Sequence, residues 1–292
     1  MGRGPMFKTL LFVTPVLILI GLLVIRFIIT QPSFMEADNF IGDYFPDQRW
    51  PTFFAGESSY DGTIVFTGLQ RDIVEDVLPD DLVLGENNIS SDFHPILLIT
   101  GVQTSGFAGL PTIPIKFSYD EQILIIPFVR HVNGEFWHNY VVRMYLNSDV
   151  AVMGGILIWG YPKEKAEFDT ASELKIYEGG VELFSSQITR SNGWRSHSEA
   201  RLEFENFKEM EEILRMPIMG EGIFSWDFTC SYFEWTFPYG EIQEIDMDYE
   251  FVNSFAPGMG AWLGEHTNIV EGAWRVENMR WKLEYYPMEC KL

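Results

Sequence analysis

"QILIIPFVRHVNGEFWHNYVVRMYL", residues 122–146, is the stretch on which the fold turns. Two apolar runs of strand length flank Asn133-Gly134, the pair that most readily takes the positive φ angles of a tight hairpin turn. A β-hairpin is the expected outcome. Upstream, "TIVFTGL" (63–69) and "PILLITGV" (95–102) are further apolar runs of strand length. Downstream, "AVMGGILIWGY" (151–161) reads as another buried strand, its glycines marking a bulge or a close backbone approach. "LKIYEGGVELFSSQIT" (174–189) repeats the hairpin pattern around Gly179-Gly180, and Asn192-Gly193 marks one more turn.

Helical signals are few. "QRDIVEDVL" (70–78) puts Ile73, Val74, Val77 and Leu78 on one face before Pro79 stops it, and "ENFKEMEEILRM" (205–216) does the same with Phe207, Met210, Ile213 and Leu214. Many strands with two short helices predict a mainly β fold, an antiparallel barrel or a sandwich closed on itself.

The chain has 292 residues, 47% apolar and 15% aromatic, enough to bury a sizeable core. Its 20 basic against 42 acidic residues give a net charge of −22, which argues against a nucleic-acid partner and against docking on an anionic lipid surface. Cys230 and Cys290 lack CxxC spacing, which rules out a cysteine-built zinc site. They are either a disulfide, if the domain faces an oxidising compartment, or two free thiols.

"TLLFVTPVLILIGLLVIRFIIT", residues 9–30, is nearly unbroken hydrocarbon. As a helix rising ~1.5 Å per residue it would cross a bilayer core of ~30 Å. A cleaved signal peptide is the competing reading, but the run is long for one and "IITQPSF" offers no small-x-small site. Arg3 and Lys8 precede the run, while Glu36, Asp38 and Asp43 follow it. That asymmetry puts the N-terminus in the cytoplasm and the domain outside or in a lumen. The sequon Asn88-Ile89-Ser90 is compatible with a lumen. The expected organisation is a basic flank over 1–8, an anchor over 9–30, a tether over 31–61 and one domain over 62–292.

Most residue constellations carry no chemistry. "EIDMDYE" (244–250) alternates four carboxylates with apolar residues. That could hold Ca²⁺, but it is also the pattern of a half-buried strand with its acids in water, the reading adopted. Histidines 94, 131, 138, 197 and 266 show no metal-ligand spacing, and no GxSxG elbow occurs. "WGYPKEKAEF" (159–168) is different, because Lys163 follows directly on an apolar run. A lysine in a turn is ordinarily a solvated charge. At the mouth of an apolar barrel, desolvation lowers its pKa by up to ~3–5 units from ~10.4. The neutral amine then attacks a ketone to form a Schiff base, whose iminium is an electron sink.

The residues around this lysine resemble the acetoacetate decarboxylase family. "YVVRMYLNSDVAVMGGILIWGYPKEKAEF" (140–168) follows that family's pattern from a Tyr through a turn and a Gly to Tyr-Pro-Lys. "FSYDEQILIIPFV" (117–129) resembles its preceding strand, with Tyr-x-Glu leading into an apolar run, and "TIVFTGLQRDIVEDVLPDDLVLG" (63–85) its opening strand and helix. The resemblance implies a β-barrel-like domain enclosing an apolar cavity, with Lys163 as the Schiff-base lysine and Glu121 as a catalytic pocket glutamate. It further implies decarboxylation of a small β-keto acid through an enamine, needing no metal or organic cofactor, and assembly into homo-oligomers.

The departures set the alternatives. Glu164 stands where the family has a second lysine, and Ile156 and Leu157 stand where it has Arg-Glu. Leu97 falls near a second family glutamate, and no arginine matches around Ser59. A carboxylate close to Lys163 would raise its pKa by ~1–3 units. In an extended segment, however, positions 163 and 165 share a face while 164 points away. Lys165 then becomes a secondary activating cation, with desolvation of Lys163 the larger effect and Glu164 in solvent. Related readings are an aldolase or dehydratase using the same lysine, or a catalytically silent, membrane-anchored barrel that binds an apolar ligand.

Overall fold

Apolar runs without alternation need cover on both faces of a sheet, and the structure supplies it. This computed structural model describes residues 55–86, 91–110, 113–156, 160–170, 173–221, 228–237, 240–251, 269–283 and 288–290. The first strands are β1 (Ala55–Gln70), β2 (Leu82–Leu84), β3 (Phe93–Leu110), β4 (Ile113–His131) and β5 (His138–Leu146). The expected hairpin is β4–β5, paired antiparallel with Ile125 opposite Val141. The connection is longer than the tight turn expected: residues 132–137 link the strands, the Gly134 amide donates to the His131 carbonyl at 2.9 Å, and neither Asn133 nor Gly134 takes positive φ. Pro127 cannot donate to the ladder, and the β4–β5 register shifts between Ile126 and Val129 to accommodate it.

Alternation sends neighbouring side chains into two different cores. Val65, Ile96, Leu98, Leu124 and Ile126 belong to one buried cluster. Ile64, Phe66, Leu97, Ile99, Ile123 and Ile125 belong to the other. Each core has a helix against it. α1 (Arg71–Asp76) brings Val74 to the first, and it is the helix expected before Pro79.

The apolar run expected as a strand after β5 begins as a helix instead, α2 (Asp149–Gly154). Ser148 caps it, its Oγ accepting from the Ala151 amide at 3.4 Å. "NSD" was thus a helix start and not only a turn: a Ser cap followed by an acidic first turn favours α over β even for a Val-rich segment.

The remaining elements are β6 (Lys163–Lys165), β7 (Glu167–Asp169), β8 (Leu174–Glu178), β9 (Val181–Ser191), β10 (Arg195–Ser196), α3 (His197–Glu203), α4 (Phe207–Leu214), β11 (Ile218–Glu221), β12 (Phe228–Ser231), β13 (Phe233–Thr236), β14 (Glu241–Phe251), β15 (Ile269–Leu283) and β16 (Met288–Glu289). β8–β9 is the hairpin read around Gly179-Gly180, both of which take positive φ. α4 is the second expected helix, and its periodic residues Phe207, Met210, Ile213 and Leu214 all lie in the second core. Asn139 on β5 ties α4 down, donating from Nδ2 to the Ile213 carbonyl at 2.7 Å. On β14, Asp246, Asp248 and Glu250 face water, as alternation predicted. α3 carried no recognised signal, although Ser196 and Glu199 form a capping box there.

Among the described residues the strands join in one path, β16-β12-β11-β5-β4-β3-β1-β15-β14-β9-β8-β7, with β2, β6, β10 and β13 paired off it. The path does not return on itself, so the sheet is not closed into the expected barrel. The pairing is also mixed, since β5 is parallel to both β6 and β11. A barrel surrounds a single core; here the sheet is covered by one core on each face. Cys230 and Cys290 form a disulfide with S–S 2.11 Å, which resolves the choice left open by their spacing. The segment expected as an anchor, 9–30, and the sequon at Asn88 lie outside the described residues. Among those described, no helix is long and apolar enough to cross a membrane.

Candidate active site

Lys163 opens β6, laid parallel against β5 with Met144 opposite it. The Met144 amide donates to the Pro162 carbonyl at 3.0 Å, fixing the strand's entry. Gly160 turns the chain into it with φ 65°, an angle that costs a side-chain-bearing residue strain. The lysine side chain lies along Gly155, where an added Cβ would sit 2.1 Å from Cδ and 2.6 Å from Nζ. The close approach inferred from the Gly154-Gly155 pair is therefore real, though set by a helix end and not a strand.

Glu121 reaches the same place from β4, opposite Gly101 on β3 and Leu146 on β5. It is fully buried, at 0% exposure. Gln103 Nε2 donates to its Oε1 at 2.5 Å, and Trp281 Nε1 donates to Gln103 Oε1 at 3.1 Å. β3, β4 and β15 thus hold one carboxylate oxygen in a chain of bonds. The other oxygen, Oε2, makes no hydrogen bond among the described residues.

The two groups titrate against each other. Burial lowers the Lys163 pKa from 10.5 to about 8, and the Glu121 charge acts in the opposite sense. Burial raises the Glu121 pKa, while the Lys163 charge and the Gln103 hydrogen bond pull it down. In both cases desolvation is the larger influence, so each group is biased towards its neutral form.

They meet in a cavity of about 150 Å³ whose walls include Phe117, Ile123, Val141, Met144, Trp235 and Trp281. Glu121 and Lys163 are the only charged side chains among its described lining residues. Lys163 and Tyr161 also border a second, outer cleft that holds Arg143, Glu164, Glu221 and Ile156. Lys163 therefore stands in the wall between an apolar chamber and a polar one.

The structure brings together Lys163 and Glu121 and leaves Lys165 and Glu164 outside. Glu164 is ion-paired to Arg143 and not left in solvent as expected. Lys165 does not join Lys163 in the cavity; it is exposed and paired with Asp149 at 2.9 Å. It is the outermost residue of β6, where the strand has reached the surface. Ile156 does not make the cavity greasier, since it is 44% exposed in the outer cleft, and Leu157 lies outside the described residues. Leu97 is core, opposite Ile125, and Ser59 sits on β1 opposite Thr104.

Gln103 and Trp281 were missed. Gln103 stands in "TGVQTSGF" as a polar residue on a buried strand, which was a usable signal. Trp281 had none, because long-range pairing of β15 with β1 and β13 brings it here.

The family profile described as acetoacetate decarboxylase (ADC) matches residues 45–219. Solved structures share the fold. An acetoacetate decarboxylase from Legionella pneumophila aligns at 16% identity over 88% of this chain and 97% of its own, with a TM-score of 0.53. An acetoacetate decarboxylase-like enzyme from Sphingomonas wittichii RW1 aligns at 12% identity over 88% of this chain and 100% of its own, TM-score 0.53. The enduracididine biosynthesis enzyme MppR, complexed with pyruvate, aligns at 12% identity over 79% of this chain and 88% of its own, TM-score 0.53. No curated protein matches the chain.

Proposed function

Because this chain belongs to the acetoacetate decarboxylase family, we propose that it is a Schiff-base-forming lyase, with Lys163 the nucleophile and Glu121 the acid that serves it. The observation that carries the reading is one amine, its pKa lowered to about 8 by burial, facing one buried carboxyl group. The neutral amine adds its lone pair to the ketone carbon of a β-keto acid, and the carbonyl oxygen leaves as water. Protonated Glu121 supplies a proton to that oxygen from Oε2, which makes no hydrogen bond among the described residues. The C–CO₂ bond then breaks. Its electron pair becomes the C=C of an enamine as the C=N pair moves onto nitrogen. The enamine carbon takes up a proton, and water hydrolyses the resulting iminium to return the amine.

The apolar walls favour decarboxylation over the aldolase reading. A pyruvate enamine keeps its carboxylate throughout and needs a lasting counter-charge, whereas a β-keto acid loses its charge as CO₂. No described lining residue other than Lys163 is cationic. The same feature supports a second reading, a silent pocket for an apolar ligand. The apolar run over 9–30 would tether either kind of protein to a membrane, with the domain on the extracytoplasmic side.

Incubation with acetoacetate and borohydride, followed by peptide mass mapping, tests the assignment. The expected product is a reduced isopropyl adduct on Lys163. Absence of any adduct there from acetoacetate and from a longer-chain ketone alike, with the fold intact, sinks the enzyme reading and leaves the binding one.

A further inference from the structure

We infer that the ketone this site accepts carries an apolar group of about six carbons, admitted past Gly154, and that a methyl ketone as small as acetone or acetoacetate is a poor fit. The inference rests on the Schiff-base reading of Lys163 and names the substrate class of that site.

Volume comes first. A cavity of about 150 Å³ is the size that holds a benzene molecule in an otherwise dry core. Phe117, Val141 and Met144 in its walls offer no hydrogen bond to a small polar molecule; of the two indoles, that of Trp281 is already committed to Gln103 and that of Trp235 makes no hydrogen bond among the described residues. Besides the indoles, Lys163, Glu121, Gln103, Tyr119 and Tyr161 are the lining residues that carry polar groups. A methyl group would leave most of this volume to water against hydrocarbon.

The opening comes second. α2 runs along the cavity with Val150, Ala151 and Gly154 in its lining. Val150 is also 65% exposed and Met153 62% exposed, so the hydrocarbon wall continues outward to the surface. Between them Gly154 leaves space: a Cβ there would meet nothing within 4 Å. Its neighbour Gly155 is pressed on Lys163. One glycine seats the nucleophile and the other keeps the chamber open for a chain.

Each additional buried methylene multiplies binding by about fourfold. 2-Heptanone exceeds acetone by a four-carbon extension, so a preference of at least tenfold is a cautious expectation. The test is reductive trapping of the full-length chain with an equimolar mixture of acetone and 2-heptanone, read as the ratio of adducts on Lys163. The expected ratio favours 2-heptanone by at least about tenfold. In Gly154→Leu, whose side chain projects into the vacant space, the ratio is expected to fall to near one while acetone labelling persists. Equal labelling by the two ketones in the wild-type chain overturns the inference and leaves the Schiff-base reading standing, whether or not the variant folds. A folded Gly154→Leu chain that keeps the wild-type ratio overturns the route past Gly154. No adduct from either ketone on Lys163 overturns the Schiff-base reading itself, and this inference with it.

Discussion

Among the described residues two glutamates lie deep, and their neighbours give them opposite fates. Glu211 on α4, 2% exposed, meets the Arg215 guanidinium at 2.7 Å, that of Arg201 at 3.1 Å and His197 Nε2 at 3.2 Å. Glu121 on β4 has one amide donor and, as its only cavity-lining counter-charge among the described residues, an amine that burial itself drives towards neutrality. Burial is the same; compensation is not. A carboxylate ringed by guanidinium groups is a fastener between helices. A carboxyl group left half-bonded beside a desolvated amine has a proton to give and somewhere to send it.

The largest effect expected is on the group that makes Glu121 different. Lys163→Met should reduce turnover of any Schiff-base substrate by at least about 10⁴-fold, the scale seen when a nucleophile is deleted. It should also raise stability. The folded pKa of about 8 lies below the ~10.4 of the unfolded chain. The unfolded state therefore binds the proton more tightly, which opposes folding fully below about 8 and ceases to do so above ~10.4. Allowing for water in the cavity, about 1–2 kcal/mol should be recovered at pH 7, measured by denaturant unfolding. A variant both inactive and less stable would mean that the lysine holds the fold together.

Crossing the two glutamates sharpens the contrast. Glu211→Gln removes the anionic partner of two part-exposed guanidinium groups and should cost about 1–3 kcal/mol of stability with little change in turnover per folded molecule. Glu121→Gln, which keeps the shape and the bond to Gln103, should cost about 10²–10⁴-fold in turnover and less than about 1 kcal/mol in stability. Equal losses of stability in both would erase the distinction.

A smaller effect is expected on the amine's titration. The rate of reductive labelling at Lys163 should climb tenfold per pH unit and level off near about 8. The Glu121 charge raises the lysine pKa, so Glu121→Gln should move the midpoint downward. Labelling that still climbs past pH 10 would place the amine in ordinary water.

How much of this was legible in the sequence follows from range. The 122–146 hairpin, the Gly179-Gly180 turn and the helices at 71–76 and 207–214 rest on local chemistry, and all formed. The pairing of Lys163 with Glu121 was reached through resemblance, and the parallel β5–β6 ladder with β4 alongside explains it. What failed was non-local or a close contest. Closure of the sheet depends on how two cores share its faces, which no window of sequence records. The segment after Ser148 was a contest between β-branched residues and a cap, and the cap won. Gln103 reaches Glu121 through the β3–β4 pairing, beyond what spacing along the chain expresses.

The smallest effect expected is also the one that most directly tests a sequence argument. Alternation along an extended segment placed Lys165 beside Lys163 as an activating cation secondary to desolvation. In the structure Lys165 is exposed and bonded to Asp149, and the depression of the Lys163 pKa is caused by burial. A solvated charge already paired is screened by its partner and by water, and such surface pairs contribute about 0–1 kcal/mol. Lys165→Met should therefore leave the labelling midpoint of Lys163 within about 0.3 pH unit and its rate within about twofold. Glu164→Gln, which unties Arg143, should disturb stability more than the midpoint, since its carboxylate already points to that guanidinium and not to the amine. If Lys165→Met instead moved the midpoint towards ~10.4, the second lysine would be the activator after all, and desolvation by the cavity would be the lesser cause.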